Sequence, residues 1–174
     1  MEFFPAYKEG QLMYPGEQVT ALLEQMNISH VVWLPDSELG TWEEALLRAP
    51  FLKLIRVCRE GEAWAIAAGL KIGGKNPLVI IQCTGLFESG DAMRNVCFDL
   101  RLPLFAIIGY RSYLAQDKLP GDTALKFTEP VLDAWEVPYQ LIKSQQELPL
   151  ILEHYQRCLQ QDTPGAILLA EGKV

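Results

Sequence analysis

Leu52–Ser89, LKLIRVCREGEAWAIAAGLKIGGKNPLVIIQCTGLFES, decides the fold. It reads as a buried strand (Lys53 to Cys58), a sharp junction at Glu60, a helix of small residues, a second buried strand (Pro77 to Cys83) and a polar turn at Cys83-Thr84-Gly85. Both apolar runs are short enough for strands covered on two faces. Ala63, Ala65, Ala67, Ala68 and Gly69 give the helix almost no side-chain bulk. Strand, helix and strand within about 30 residues make a βαβ unit, whose strands run parallel. Ligands of such sheets gather where strands end and helices begin, and Glu60 and Thr84 both fall at such points.

Outward from this unit the alternation continues. Upstream lie an arm from Met1 to Gln11, a helix over Tyr14 to Asn27 opened by Pro15, a strand at His30 to Leu34, and the turn Pro35-Asp36-Ser37. Thr41 with Glu44 predicts a capping box for a helix through Arg48. Downstream come a helix from Ser89 to Leu100 with Ala92, Val96 and Leu100 on one side, and a strand at Pro103 to Tyr110. Arg111 to Gly121 reads as a polar loop with no element of its own. Asp122 to Phe127 reads as helix, and Thr128 with Pro130 as the start of another through Trp135. A strand at Val137 to Lys143, a capping box of Ser144 and Glu147 opening a helix to Gln161, and a strand at Gly165 to Ala170 complete the chain. The expected fold is α/β: a three-layer, doubly wound, mostly parallel six-stranded sheet in one domain spanning 1–174. The loops at 35–40, 59–60, 83–89 and 111–121 then line one edge, where function is sought.

Composition narrows the function classes. The 174 residues are 49% hydrophobic and 21% charged, an ordinary globular mix, with a formal net charge of −7. That charge argues against nucleic acid as a partner and against anionic membrane surfaces. No apolar run reaches a membrane span, and Met1-Glu2-Phe3-Phe4-Pro5 is not a signal peptide, so a cytoplasmic protein is expected. Cys58, Cys83, Cys97 and Cys158 show no CxxC spacing and read as reduced thiols. His30 and His154 are too far apart to suggest a zinc site, and no metal is expected on this chain.

Each chemical candidate has a plain rival. A carboxylate at position 60 is favoured electrostatically by a helix N-terminus; partly buried, it would also exchange a proton or bind a ligand nitrogen. The small-residue helix packs closely on the sheet, yet its alanines spread over more than one face, which hints at a subunit interface. Gly73-Gly74-Lys75-Asn76 lacks P-loop spacing and reads as a turn. Cys83 at a strand end resembles a hydrolase nucleophile elbow, but Gln82 and Thr84 are bulky flanks and no histidine is placed to act as its base.

The order V-C-R-E-G-E-A-W-A-I-A-A-G-L, a turn, then I-I-Q-C-T-G-L resembles the pyrimidine-binding domain of thiamine diphosphate enzymes, and within them the small subunit of sulfopyruvate decarboxylase and the matching part of phosphonopyruvate decarboxylase. The matching residues are Arg59, Glu60, Ala63, Gly69, Gly73, Gly74, Lys75, Gln82, Thr84, Gly85 and Leu86, with LPDSEL at 34–39, Pro103-Leu104 and Arg111 beside them. The resemblance implies that Glu60 is the catalytic carboxylate at the aminopyrimidine ring of thiamine diphosphate, and that Glu60, Thr84, Gly85 and Leu86 bind that cofactor. Asp36, Ser37 and Arg111 are the candidate contacts to a 2-oxo acid, against plain readings as turn residues for the first two and as a surface charge for Arg111, the plain reading being slightly favoured. In the family the diphosphate and its Mg2+ sit on another domain marked by Gly-Asp-Gly. No Gly-Asp-Gly occurs in this sequence, so a separate diphosphate-binding subunit is implied, in a homo-dimer or higher oligomer. The family's Asn-Ser-Gly-Leu-Gly-Asn is replaced by Cys83-Thr84-Gly85-Leu86-Phe87-Glu88. An inward-facing Glu88 would disfavour an anionic substrate. This change keeps open a second reading, a non-catalytic binding or assembly module of the same fold.

Overall fold

Residues 14–172 are described by a computed structural model. Its strands are β1 (His30–Leu34), β2 (Lys53–Arg56), β3 (Pro77–Gln82), β4 (Phe105–Tyr110), β5 (Tyr139–Ile142) and β6 (Gly165–Ala170). They form one sheet in the order β2-β1-β3-β4-β6-β5, with every neighbouring pair parallel. The helices are α1 (Gly16–Gln25), α2 (Glu43–Arg48), α3 (Glu60–Ile72), α4 (Cys83–Glu88), α5 (Gly90–Arg94), α6 (Thr123–Ala134) and α7 (Pro149–Gln161). The arm expected over Met1 to Gln11 lies outside the described residues.

Alternation along the strands builds two cores. Val31, Trp33, Leu78, Ile80, Ile107 and Ile167 point to the face covered by α1, α2 and α7. Val32, Val79, Ile81, Ala106, Ile108 and Leu168 point to the face covered by α3, α4, α5 and α6. The central strands β3, β4 and β6 are buried almost throughout, while the edge strands β2 and β5 are not. Continuous apolar runs therefore occupy the middle of the sheet, as strands covered on both faces must. β2 and β3 flank β1 on opposite sides, so the chain reverses direction at β1. A crevice opens at the carboxyl ends there.

Several local expectations are corrected. Thr41 does not cap α2, because Leu39–Trp42 is already a 3-10 turn; its hydroxyl donates to the Glu38 carbonyl at 2.6 Å, and Glu44 pairs with Arg48. The cap of that turn is Asp36, whose Oδ1 accepts from Glu38 N at 2.8 Å and Leu39 N at 2.9 Å. Cys83-Thr84-Gly85 is not a turn: α4 starts directly after β3, with Gln82 as its extended N-cap. The 111–121 loop carries a 3-10 segment, Tyr113–Lys118. The two helices expected from Asp122 to Trp135 are one, α6, capped by Asp122 Oδ1 on Ala124 N at 2.8 Å. Thr128 lies inside it and bonds back to the Ala124 carbonyl at 2.7 Å, the alternative open to a mid-helix threonine. Glu147 reaches back to Lys143 N at 2.7 Å, but Ser144 makes no side-chain cap, and the regular helix begins at Pro149. Leu100 is exposed, since α5 widens into a π-helical turn at Asn95–Asp99 that rotates the following residues outward.

Candidate functional site

All strands run the same way, so the four loops expected at one edge do share it, and the segment after β6 joins them. Two neighbouring structures stand there: a carboxylate corner where α3 meets α4, and a pocket beside it.

The corner is built by β2 and β3 handing over to helices. Arg59 is extended and Glu60 is the first residue of α3. The Glu60 side chain is half-buried and lies across Gly85 in the first turn of α4. A Cβ at Gly85 would stand 2.6 Å from Glu60 Oε1 and 2.8 Å from Cδ, so only glycine leaves room for that carboxyl. Thr84 is exposed beside it and donates to Gln82 Oε1 at 2.7 Å. Leu86 turns its side chain fully into the core, so only its backbone reaches the edge. Glu62 is exposed and accepts from Cys58 N at 3.2 Å.

Glu88 resolves the concern raised by its charge. Its carboxylate is turned onto α3, accepting from Arg59 at 2.8 and 3.0 Å and from Gly61 N at 3.0 Å. The Arg59 guanidinium and then the helix amide hold its carboxyl below the usual range. It is the N-terminal cap that Arg59 itself does not supply. Phe87 is part-exposed on the outer side of α4.

The pocket encloses about 750 Å³. Asp36, Ser37, Gln82, Arg111, Asp122 and Glu171 are on its wall. The sequence candidates Asp36, Ser37 and Arg111 are thus brought together, and Glu60 lies outside the lining. Gln82 links the two structures: its Nε2 donates to Asp36 Oδ2 at 3.0 Å while its Oε1 takes the Thr84 hydroxyl. Arg111 is half-exposed and stands 3.9 Å from Asp122.

Sequence reasoning stopped at Ala170 and missed Glu171. Only 1% of this residue is exposed, and no donor reaches its Oε1. Its backbone is pinned on both sides, N to the Tyr110 carbonyl at 3.2 Å and O to Leu114 N at 3.0 Å. Gly109 leaves space for the carboxyl, since a Cβ there would be 3.1 Å from Glu171 Cδ. Burial, then the Asp36 carboxylate, pushes its pKa up to about 10. An acid directly after GAILLA was the available signal: a strand that long and apolar ends at the same edge as the others.

The hydrolase candidate fares differently. Cys83 is wholly buried and burial pushes its thiol up, so it stays protonated. His30 begins β1 at the opposite edge, and His154 on α7 meets the Pro138 carbonyl and Cys158 instead. Among the described residues no three His, Cys, Asp or Glu side chains stand where they would hold a metal ion, and no helix is long and apolar enough to cross a membrane.

No protein-family model matches the chain. Curated relatives do. The sulfopyruvate decarboxylase subunit alpha of Methanococcus maripaludis is 26% identical over 159 residues, 90% of this chain and 95% of that one. Its namesake in Methanocaldococcus jannaschii is 24% identical, covering 76% and 78% respectively. The phosphonopyruvate decarboxylase of Streptomyces viridochromogenes is 25% identical over 75% of this chain but only 33% of its own length. The chain resembles the sulfopyruvate decarboxylase alpha-subunit and phosphonopyruvate decarboxylase family. The chain thus spans 95% and 78% of the two alpha subunits but a third of phosphonopyruvate decarboxylase.

Proposed function

We propose that this chain is the pyrimidine-binding subunit of a thiamine diphosphate-dependent 2-oxo acid decarboxylase of the sulfopyruvate and phosphonopyruvate kind, completed by a separate diphosphate-binding subunit. The observation that carries the reading is the Glu60 carboxyl laid over Gly85 at the carboxyl edge of the sheet. It is neither lost in bulk water nor sealed in the core. A carboxyl on a rigid strand–helix junction, with the bulk beneath it removed, fits the task of holding a proton at a ring nitrogen of the aminopyrimidine.

When bound, thiamine diphosphate supplies the electron sink for loss of CO2. The chain's own residues do the rest. Glu60 exchanges a proton with the ring nitrogen. Thr84 and the Gly85 backbone bound the ring's place. Gln82 keeps Thr84 and Asp36 in fixed relation. Asp36, Ser37 and Arg111 surround the substrate, where the guanidinium suits its acid group. Glu88 is engaged by Arg59 and Gly61, so its charge does not oppose an anionic substrate. Diphosphate and Mg2+ belong to the partner, because no Gly-Asp-Gly is present; Gly90-Asp91-Ala92 merely opens α5, where Asp91 pairs with Arg94. The outer face of α3 carries Ala65, Ile66, Gly69 and Ile72 in the open, an apolar surface of low relief for the second chain.

The test is co-expression with a neighbouring-gene protein that carries Gly-Asp-Gly. Together the two should bind thiamine diphosphate and release CO2 from sulfopyruvate or phosphonopyruvate, and neither chain should do so alone. Cofactor binding without CO2 release from any 2-oxo acid would instead establish the non-catalytic module.

A further inference from the structure

Two carboxyls meet on the wall of the pocket. Asp36 is committed as an acceptor: Glu38 N, Leu39 N and Gln82 Nε2 all donate to it. Glu171 lies on the same wall, 1% exposed, with an oxygen that no protein donor reaches, and Asp36 leads the charged groups that act on it. Two carboxylates so placed cannot both be ionised away from water. The donors settle which one is charged, and the proton therefore resides on Glu171. The other charged groups around it do not reverse this. Glu38 adds negative charge from the same loop as Asp36, and only Arg111, from the loop after β4, opposes. Lys118 and Asp122 lie farther along the same wall, and Cys83 behind it is a neutral thiol.

We propose that Asp36 and Glu171 form a one-proton carboxyl pair, and that Glu171, as an uncharged acid, is a specificity-determining contact that hydrogen-bonds an oxygen of a 2-oxo acid whose anionic group is held by Arg111. The ligand class rests on the decarboxylase reading; the pair does not. It gives the pocket a donor with no positive charge beside a cation, which suits the neutral carbonyl oxygen of a 2-oxo acid next to its carboxylate. The second anionic end of sulfopyruvate would be repelled by the Asp36 carboxylate and would lie toward Lys118 on the same pocket wall.

Infrared difference spectroscopy on the full chain at neutral pH tests this. The expected result is a protonated-carboxyl band in the wild type that is absent in Glu171→Gln, fades in the wild type only as pH approaches 10, and shifts when sulfopyruvate is added. Glu171→Gln keeps a neutral donor and should retain sulfopyruvate affinity, while Glu171→Ala should weaken it about tenfold. A missing band, or one that survives Glu171→Gln, overturns the pair. A band that sulfopyruvate leaves unmoved overturns the ligand role. Thiamine diphosphate takes no part in the measurement. A moving band with no CO2 release in the two-subunit assay would sink only the decarboxylase reading, and turnover with a stationary band only this one.

Discussion

Gly85 and the Glu60 carboxyl occupy one volume, so a methyl group at 85 must displace the side chain. The clash is with a side chain and not with backbone, so Gly85→Ala should cost about 1–3 kcal/mol in stability. Moving the carboxyl should nonetheless cut CO2 release at least tenfold in the two-subunit assay; equal loss of melting temperature and activity would mean that the glycine serves the fold only. Glu171 makes a pH prediction. Its folded-state value, about 10, lies above that of a free glutamate. Its stabilising contribution is therefore complete below the ordinary carboxylate range and is lost as pH climbs toward 10. Across that window each pH unit costs the wild type up to about 1.4 kcal/mol relative to Glu171→Gln. Urea midpoints at several pH values should show the variant gaining on the wild type as pH rises; a constant difference would contradict it. At this scale the sequence was legible where a residue type is tied to a local role, as with Glu60 before an alanine-rich helix. For Glu171 the position after a long apolar strand was legible but the burial was not, because the space for its carboxyl is left by Gly109, far away in the chain.

The elements α3 and α4 are joined by a buried relay. Trp64 Nε1 donates to Ser89 Oγ at 3.0 Å, and Ser89 donates to the Gly85 carbonyl at 2.7 Å. This relay fixes the end of α4 against the helix that carries Glu60. Ser89→Ala strands the Trp64 N–H in the core and should cost about 1–3 kcal/mol. In a chain of this size that is about 2–4 °C of melting temperature per kcal/mol; an unchanged melting temperature would show that the relay is dispensable. The strands were readable because central, two-face burial demands continuous apolar runs. The helix starts were not. Thr41-x-x-Glu44 and Ser144-x-x-Glu147 have the spacing of capping boxes, but the chain had already curled into 3-10 turns, and the cap passed to Asp36 in one case and partly to Glu147 in the other. Spacing states which bonds are possible; the path of the backbone decides which form. Pro130 likewise looked like a helix start and sits inside α6.

For the whole molecule, the central question is assembly. Parallel alternation in the sequence was sufficient for an all-parallel sheet, and that sheet places the 35–40, 59–60, 83–89 and 111–121 segments on one edge. Ile66 and Ile72 stand 36% and 72% exposed on the outer face of α3, and nothing would meet a Cβ at Gly69. Ile66→Glu should keep the circular-dichroism spectrum and shift light scattering to a smaller species; a wild type that is monomeric at high concentration with its partner present would remove this face from the interface. The most direct measurement of the account is CO2 release by the purified two-subunit complex, comparing wild type with Glu60→Gln. The carboxyl role predicts that the variant assembles and melts like the wild type but loses turnover. Undiminished CO2 release by Glu60→Gln would contradict it.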